Sequence, residues 1–225
     1  MAIRRSFSGG GSQRAMIERV TMSQSLAPAF LLSMPQLMDP NFNRTVVLLC
    51  KHSDEGAFGL VLNRPLVTSG RVVVNLEPTP AADAGAASLR AAQREQKETV
   101  WTERELQVWI GGPVEPQRSW MLVGDEDEDQ DARGMRIADH LYLSTSPDLL
   151  RRLLEPDPPP RTRLVVGYSG WGPGQLEAEL HQSAWLLSDV DRDLIFNTPP
   201  DRMWEAAIRR LGADPATLQM SRGVH

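Results

Sequence analysis

An apolar triplet, Leu164-Val165-Val166, runs directly into Gly167-Tyr168-Ser169-Gly170-Trp171-Gly172-Pro173-Gly174-Gln175-Leu176-Glu177. No other stretch of the chain restricts the fold as much. The triplet reads as a buried strand. The four glycines that follow open backbone conformations closed to other residues, and Pro173 is placed to open a helix. Leu176, Leu180, Ala184 and Leu187 then recur at helical spacing and give that helix one apolar face. Strand, glycine turn and helix in succession would set backbone N–H groups at a helix start, where the dipole favours an anion or a polar ligand.

The segments upstream read mostly as strands. Residues 1–25 are rich in Ser, Gly, Arg and Gln and read as a flexible tail, with a short helical turn near Met16–Val20. Order is expected from Leu26, with a first strand at Ala29–Ser33, a break at Met34-Pro35 and a turn at Asp39-Pro40. Thr45–His52 is the clearest strand. Val46, Leu48, Cys50 and His52 share one face and Val47, Leu49 and Lys51 the other, so both faces start apolar and the strand is expected to be central. Ser53–Gly56 is a turn into a second strand, Phe58–Leu62, which makes a hairpin. Val72–Leu76 reads as extended. Pro78–Thr99 reads as an inserted excursion with a helix near Ala86–Glu95. Leu106–Ile110 reads as a strand that stops at Gly111-Gly112-Pro113 and pairs with Trp120–Val123 in a second hairpin.

Helices gather late. After a strand at His140–Ser144, Ser146 is placed to cap a helix that opens at Pro147 and carries Leu149, Leu150, Leu153 and Leu154. The prolines after Asp157 stop it. Leu186–Leu187 and Leu194–Phe196 read as short strands. Asp201–Leu211 reads as a helix with the seam Trp204, Ile208 and Leu211, ended by Gly212, and residues 213–225 read as a loose tail. Paired strands early and helices late predict an α+β protein with much antiparallel pairing. The expected organisation is one domain, residues 26–212, between two tails.

Charge narrows the function classes. With net charge −5 and pI near 5.4 the chain lacks the broad positive surface that drives nucleic-acid binding. No apolar run approaches the ~20 residues of a membrane span. Cys50 is the one cysteine, so no internal disulfide forms. With basic residues at the start but no apolar stretch behind them, a cytoplasmic setting is expected.

Three stretches together resemble the AlgH/YqgE family of bacterial proteins. The first is Met34-Pro35-x-x-x-Asp39-Pro40-x-Phe42-x-Arg44-Thr45-Val46-Val47, continued by Gly56-x-x-Gly59-x-x-x-Asn63-x-Pro65-Leu66. The second is Gly111-Gly112-Pro113-Val114. The third is Gly167-Tyr168-x-Gly170-Trp171-x-x-Gly174-Gln175-Leu176-Glu177-x-Glu179-Leu180, followed by Trp185 and Phe196-x-Thr198-Pro199. The resemblance runs from about Leu26 to Gly212. It implies an α+β fold in which a mostly antiparallel, bifurcated sheet curls into a partial barrel flanked by helices. It also implies a regulator label that no recognised DNA-binding motif accompanies, and little chemistry. The long N-terminal tail, the 78–99 excursion and the acidic run depart from the family pattern.

Candidate chemistry is sparse. Gly167-x-Ser169-x-Trp171 falls short of a nucleophile elbow, because tryptophan stands where that motif needs glycine. Cys50, His52 and Asp54 could share a strand face as metal ligands, yet no second cluster completes a site. Asp125–Asp131 lacks the spaced glycine and final glutamate of a calcium loop and reads as a solvated loop. Arg151, Arg152, Arg161, Arg163, Arg209 and Arg210 could form a basic patch, although helix surfaces are commonly charged. Five tryptophans, Trp109, Trp120, Trp171, Trp185 and Trp204, sit in apolar contexts and read as core. Glu177 and Glu179 complement the helix dipole and, two residues apart, do not share a face as an acid–base pair. The preferred site is a rim at strand ends: Asp39, Asn63, Gly111, Gly112, Gly170, Trp171, Gly174, Gln175 and Glu177. No catalytic residue, metal or cofactor is assigned. The expected function is a non-enzymatic binding protein with a regulatory role, engaging an unidentified protein or small molecule. The alternative is a small-ligand binder or enzyme using the glycine-turn cleft.

Overall fold

The computed structural model describes residues 25–76, 96–124 and 134–220. The N-terminal tail up to 24, the expected helix at 86–95 and the acidic run lie outside the described residues. Among the described residues ten strands come in the order β1 (Ala29–Ser33), β2 (Val46–Ser53), β3 (Gly56–Val61), β4 (Pro65–Leu76), β5 (Gln96–Ile110), β6 (Val114–Val123), β7 (Met135–Ala138), β8 (Leu141–Ser144), β9 (Thr162–Trp171) and β10 (Trp185–Ser188). Helix α1 (Pro147–Leu153) precedes β9, α2 (Gln175–His181) follows it, and α3 (Arg192–Asn197), α4 (Pro200–Arg210) and α5 (Pro215–Met220) follow β10.

The strands make one sheet in the order β10-β1-β2-β3-β9-β5-β4-β6-β8-β7, with β6 also paired to β9. All pairings among the described residues are antiparallel except β5–β9 and β4–β6. The fold is therefore α+β, as the order of strand and helix signals predicts. Strand β2 is central, between β1 and β3. Val46 and Leu48 enter the main core with Trp109, Trp120 and Trp204. Val47 and Leu49 enter a second core with Trp171 and Trp185. A strand apolar on both faces has nowhere to sit but between two packed layers. A third core forms where Leu149 and Leu150 of α1 cover Val108, Met121 and Leu164.

Several expectations need correction. First, the glycine stretch is not a turn as far as Trp171: β9 continues through Gly167–Trp171 and pairs Ser169–Trp171 with β3. The turn is Gly172–Gly174, and Pro173 precedes the helix rather than opening it. Second, the helix ends at His181. Trp185–Ser188 leaves it to pair with β1, so strand pairing overrides a spacing that suits both states. Third, Leu106–Ile110 and Trp120–Val123 form no hairpin. Strand β9 lies between them, parallel to β5 at Leu164–Val166 and antiparallel to β6 from Thr162 to Tyr168. The hairpin partner of β5 is β4. Fourth, Leu194–Phe196 lies in α3, because Asp191 accepts from the N–H groups of Asp193 and Leu194 and starts a helix there. Within the excursion, residues 96–99 belong to β5. Past 213, Leu218 of α5 packs against the main core, and Leu211 lies outside the α4 seam at 43% exposure.

The cap on α1 forms as expected, with Ser146 Oγ accepting from Leu149 N at 3.4 Å and Pro147 in the first turn. Ser146→Ala is expected to cost about 1 kcal/mol, read as a fall in the urea midpoint at unchanged m. An unchanged midpoint would show the cap to be idle.

Candidate functional site

The turn Gly172–Gly174 stands on an aromatic knot. Glu179 Oε2 accepts from Trp171 Nε1 at 2.9 Å and from Trp185 Nε1 at 2.7 Å, while its Oε1 accepts from Gln175 Nε2 at 2.9 Å. The Phe42 ring stacks on Trp171 at 6.4 Å and meets Trp185 edge-on at 5.5 Å. Asp39-Pro40-x-Phe42 is thereby joined to the glycine–tryptophan stretch through packing. Gln175 Oε1 accepts from Gly172 N at 3.0 Å and closes the turn. Gly174 takes φ 71°, and a Cβ there would have no atom within 4 Å, so the outer side of the turn is open to solvent.

His52 reaches the same helix from β2. Its Nδ1 accepts from Leu26 N at 3.2 Å, which leaves Nε2 as the protonated nitrogen, donating to Glu177 Oε1 at 2.9 Å. With both ring nitrogens engaged, the imidazole orients Glu177 and ties the start of β1 to α2.

The remaining rim residues do not gather at this turn, which adjoins the start of β3 at Gly56–Ala57, whereas Asn63 and Gly111 lie at its far end beside Val46 and Val61. Asp39 Oδ1 accepts from Asn41 N and Nδ2 within its own turn. Asn63 is buried, accepts from Val46 N at 3.1 Å and donates to Arg44 O at 2.8 Å, bracing the start of β2. Gly111 O accepts from Val61 N and from Ser169 Oγ at 3.1 Å. A Cβ on Gly112 would collide with the Tyr168 backbone, so the close approach of these segments requires glycine there. Gly111 and Gly112 are therefore brought against Gly167–Ser169, next to Gly170. Trp171, Gly174, Gln175 and Glu177 gather at the following turn. Ser169 is fully buried and donates to Gly111 O, which leaves it no role as an exposed nucleophile. Burial raises the Cys50 thiol far above its ordinary range, so it stays protonated. Among the described residues no three His, Cys, Asp or Glu side chains come together as a metal group.

The family model described as AlgH-like matches residues 30–216. The chain belongs to the AlgH-like family. A UPF0301 protein of Myxococcus xanthus (strain DK1622) is 38% identical over 202 residues, 90% of this chain and 99% of the relative. A UPF0301 protein of Vibrio cholerae is 34% identical, over 88% of this chain and 98% of the relative. The solution structure of the AlgH protein from Pseudomonas aeruginosa matches with TM-score 0.56 at 33% identity, covering 90% of this chain and 96% of that one. DIP2367 from Corynebacterium diphtheriae, 20% identical, shares the fold with TM-score 0.53 over 86% and 90% of the two chains.

In this AlgH-like chain two polar features escaped the reading of the sequence. Glu115, at φ 45°, accepts from Tyr168 OH at 2.9 Å and from Arg118 Nη1 at 3.3 Å, and the Arg118 guanidinium lies 4.7 Å from the Trp120 ring centroid. Phe58 packs on both Trp120 and Tyr168 with centroids 5.2 Å away. The proximity of Gly112-Pro113-Val114 to a tyrosine on β9 could be inferred only once β6 and β9 were known to pair. The second feature is a cleft of about 770 Å³ lined by Pro28, by Arg136–Asp139 at the end of β7, and by Val190–Asp193 before and within α3. Its walls come from three segments far apart in sequence, so no local pattern marks it.

Of the six arginines that could form a basic patch, Arg163 is buried, Arg151 pairs with Asp148, Arg209 with Glu205 at 3.1 Å, and Arg210 with Asp191, while Arg152 is exposed and Arg161 half-buried. No helix of the described residues is long and apolar enough to cross a membrane.

Proposed function

We propose that this AlgH-like protein is a non-enzymatic cytoplasmic binding protein with a regulatory, transcription-related role. It engages a protein or small-molecule partner at the rim of Asp39, Asn63, Gly111, Gly112, Gly170, Trp171, Gly174, Gln175 and Glu177. The observation that carries the reading is the contrast at the β9–α2 turn. The polar groups beside it, Glu179 and Ser169, spend their hydrogen bonds on the protein itself, while Gly174 faces open space. A rigidly held bend with glycine on both sides of one proline is a surface that a partner's backbone or a small polar group can approach closely. The partial-barrel curl belongs to the same proposal, and its support is that β9 pairs with β3, β5 and β6.

The test is affinity capture from the native cell with the full chain and with Gly174→Val, which strains the left-handed turn by ~1–2 kcal/mol without entering the core. A partner retained by the wild type and lost from the variant, with transcript changes common to the variant and a deletion, is the expected result. An identical captured set overturns the rim.

The second reading, a small-ligand binder or enzyme using the same turn, is favoured by one observation. The His52–Glu177 pair orients a carboxylate that is 38% exposed beside the bend. Turnover of any substrate abolished by Glu177→Ala would establish it and remove the first.

A further inference from the structure

The cleft between β7 and α3 is remote in sequence from the glycine turn, and its charges have an informative pattern. Arg136 pairs with Asp139, and Asp191 pairs with Arg210. Those four charges neutralise one another. Arg192 and Asp193 remain. Among the described residues Arg192 makes one long bond, 3.5 Å, from Nη1 to Gly124 O, and Asp193 Oδ1 accepts from the neutral Asn197 amide at 2.9 Å. Neither has an ionic partner among the described residues. One cation and one anion, adjacent in the chain, therefore border a cleft whose other lining is aliphatic: Pro28, Ile137, Ala138 and Val190.

We propose that this cleft binds a zwitterion with an aliphatic body, a free amino acid such as leucine or a short peptide of that character. The carboxylate lies toward Arg192, the ammonium toward Asp193 and the side chain on Ile137 and Val190. A simple anion would meet Asp139, Asp191 and Asp193, and a simple cation would meet Arg136 and Arg192. A molecule carrying both signs can pair with Arg192 and Asp193 together. A volume of about 770 Å³ admits an amino acid or a short peptide and falls in the range of small-molecule sites. The charges are partly solvated, so the affinity is modest, with Kd of ~1 mM. This inference goes beyond the partner reading of the glycine turn and does not depend on it.

The experiment is an amide NMR titration of the full chain with L-leucine to ~10 mM, where a Kd of ~1 mM saturates. N-acetyl-L-leucine amide, which lacks both charges, is the control. Saturable shifts at Ile137–Asp139 and Val190–Asp193 are expected with leucine and not with the control. Arg192→Gln and Asp193→Asn should each weaken binding about ten-fold. Both side chains reach the surface and Asp191 supplies the cap of α3, so the variants fold. No shift at these amides, equal shifts with the uncharged analogue, or affinity unchanged in both variants overturns the proposal. A failed titration leaves the reading of the glycine turn standing, and loss of partner capture in Gly174→Val leaves this one standing.

Discussion

Glu179→Ala is expected to lower the unfolding free energy by about 3 kcal/mol, and Glu179→Gln by only about 1 kcal/mol. Both indole N–H groups, on Trp171 and Trp185, donate to the same oxygen, Oε2, and both rings are almost wholly buried. Alanine strands two buried donors and removes two charge-assisted bonds, each worth more than a neutral one. Glutamine keeps an oxygen with two lone pairs where Oε2 stands, so both indoles stay satisfied. Its amide nitrogen then replaces Oε1 and meets the Gln175 amide, donor against donor. The double variant Gln175→Glu with Glu179→Gln reverses that one contact and keeps an acceptor for Gly172 N. It should recover most of the loss. Urea unfolding followed by tryptophan fluorescence measures all three. Equal losses for alanine and glutamine would show that the carboxylate does not organise the knot.

That knot also marks how much of the fold was legible. The helical spacing of Gln175-x-x-x-Glu179 can be read from the sequence, and so can the apolar setting of Trp171 and Trp185. Their convergence on one carboxylate could not, because Trp185 fits equally a helix continued from Leu176 and a strand. Its pairing with β1 decided, and β1 lies far back in the chain. Strand β2 was legible because alternation with both faces apolar admits only a central position. Helix α1 was legible because its cap, its proline and its leucines lie within a few residues. The glycines at 167 and 170 misled for a physical reason. Glycine marks a turn, but also a place where another backbone comes close. Gly167 and Gly112 do the second, where β9 receives the start of β6. Of the rim residues, Asn63 and Asp39 bond the backbone or side chains of nearby turns, as short polar residues at strand ends commonly do. Arg192 and Asp193 gave no signal, since their significance comes from which neighbouring charges are already matched.

Arg163→Ala is expected to cost about 4 kcal/mol. Arg163 stands on β9 two residues ahead of Val165, in a position the sequence offers as one more surface arginine. Its guanidinium instead lies 3.8 Å from the Trp109 ring centroid and 5.5 Å from that of Phe196. It donates to Leu62 O at 3.1 Å and to Ile195 O. It thereby joins the end of β3 to α3 through a cation rather than through apolar packing. Burial pushes its pKa down to about 10, so it is still charged at neutral pH. A cation less stable folded than unfolded costs stability at every pH below about 10, and relief begins only above that. The ring faces and the two carbonyls must offset this cost, and a desolvated cation–π contact contributes ~2 kcal/mol toward it. Arg163→Met separates the contributions. It removes the buried charge and keeps much of the volume, but leaves Leu62 O and Ile195 O without a donor, so its expected loss is about 2 kcal/mol. Thermal or urea unfolding of the two variants reads the difference. If methionine proves as stable as arginine, the carbonyls do not need the guanidinium, and Arg163 is a tolerated charge rather than the link between sheet and helix.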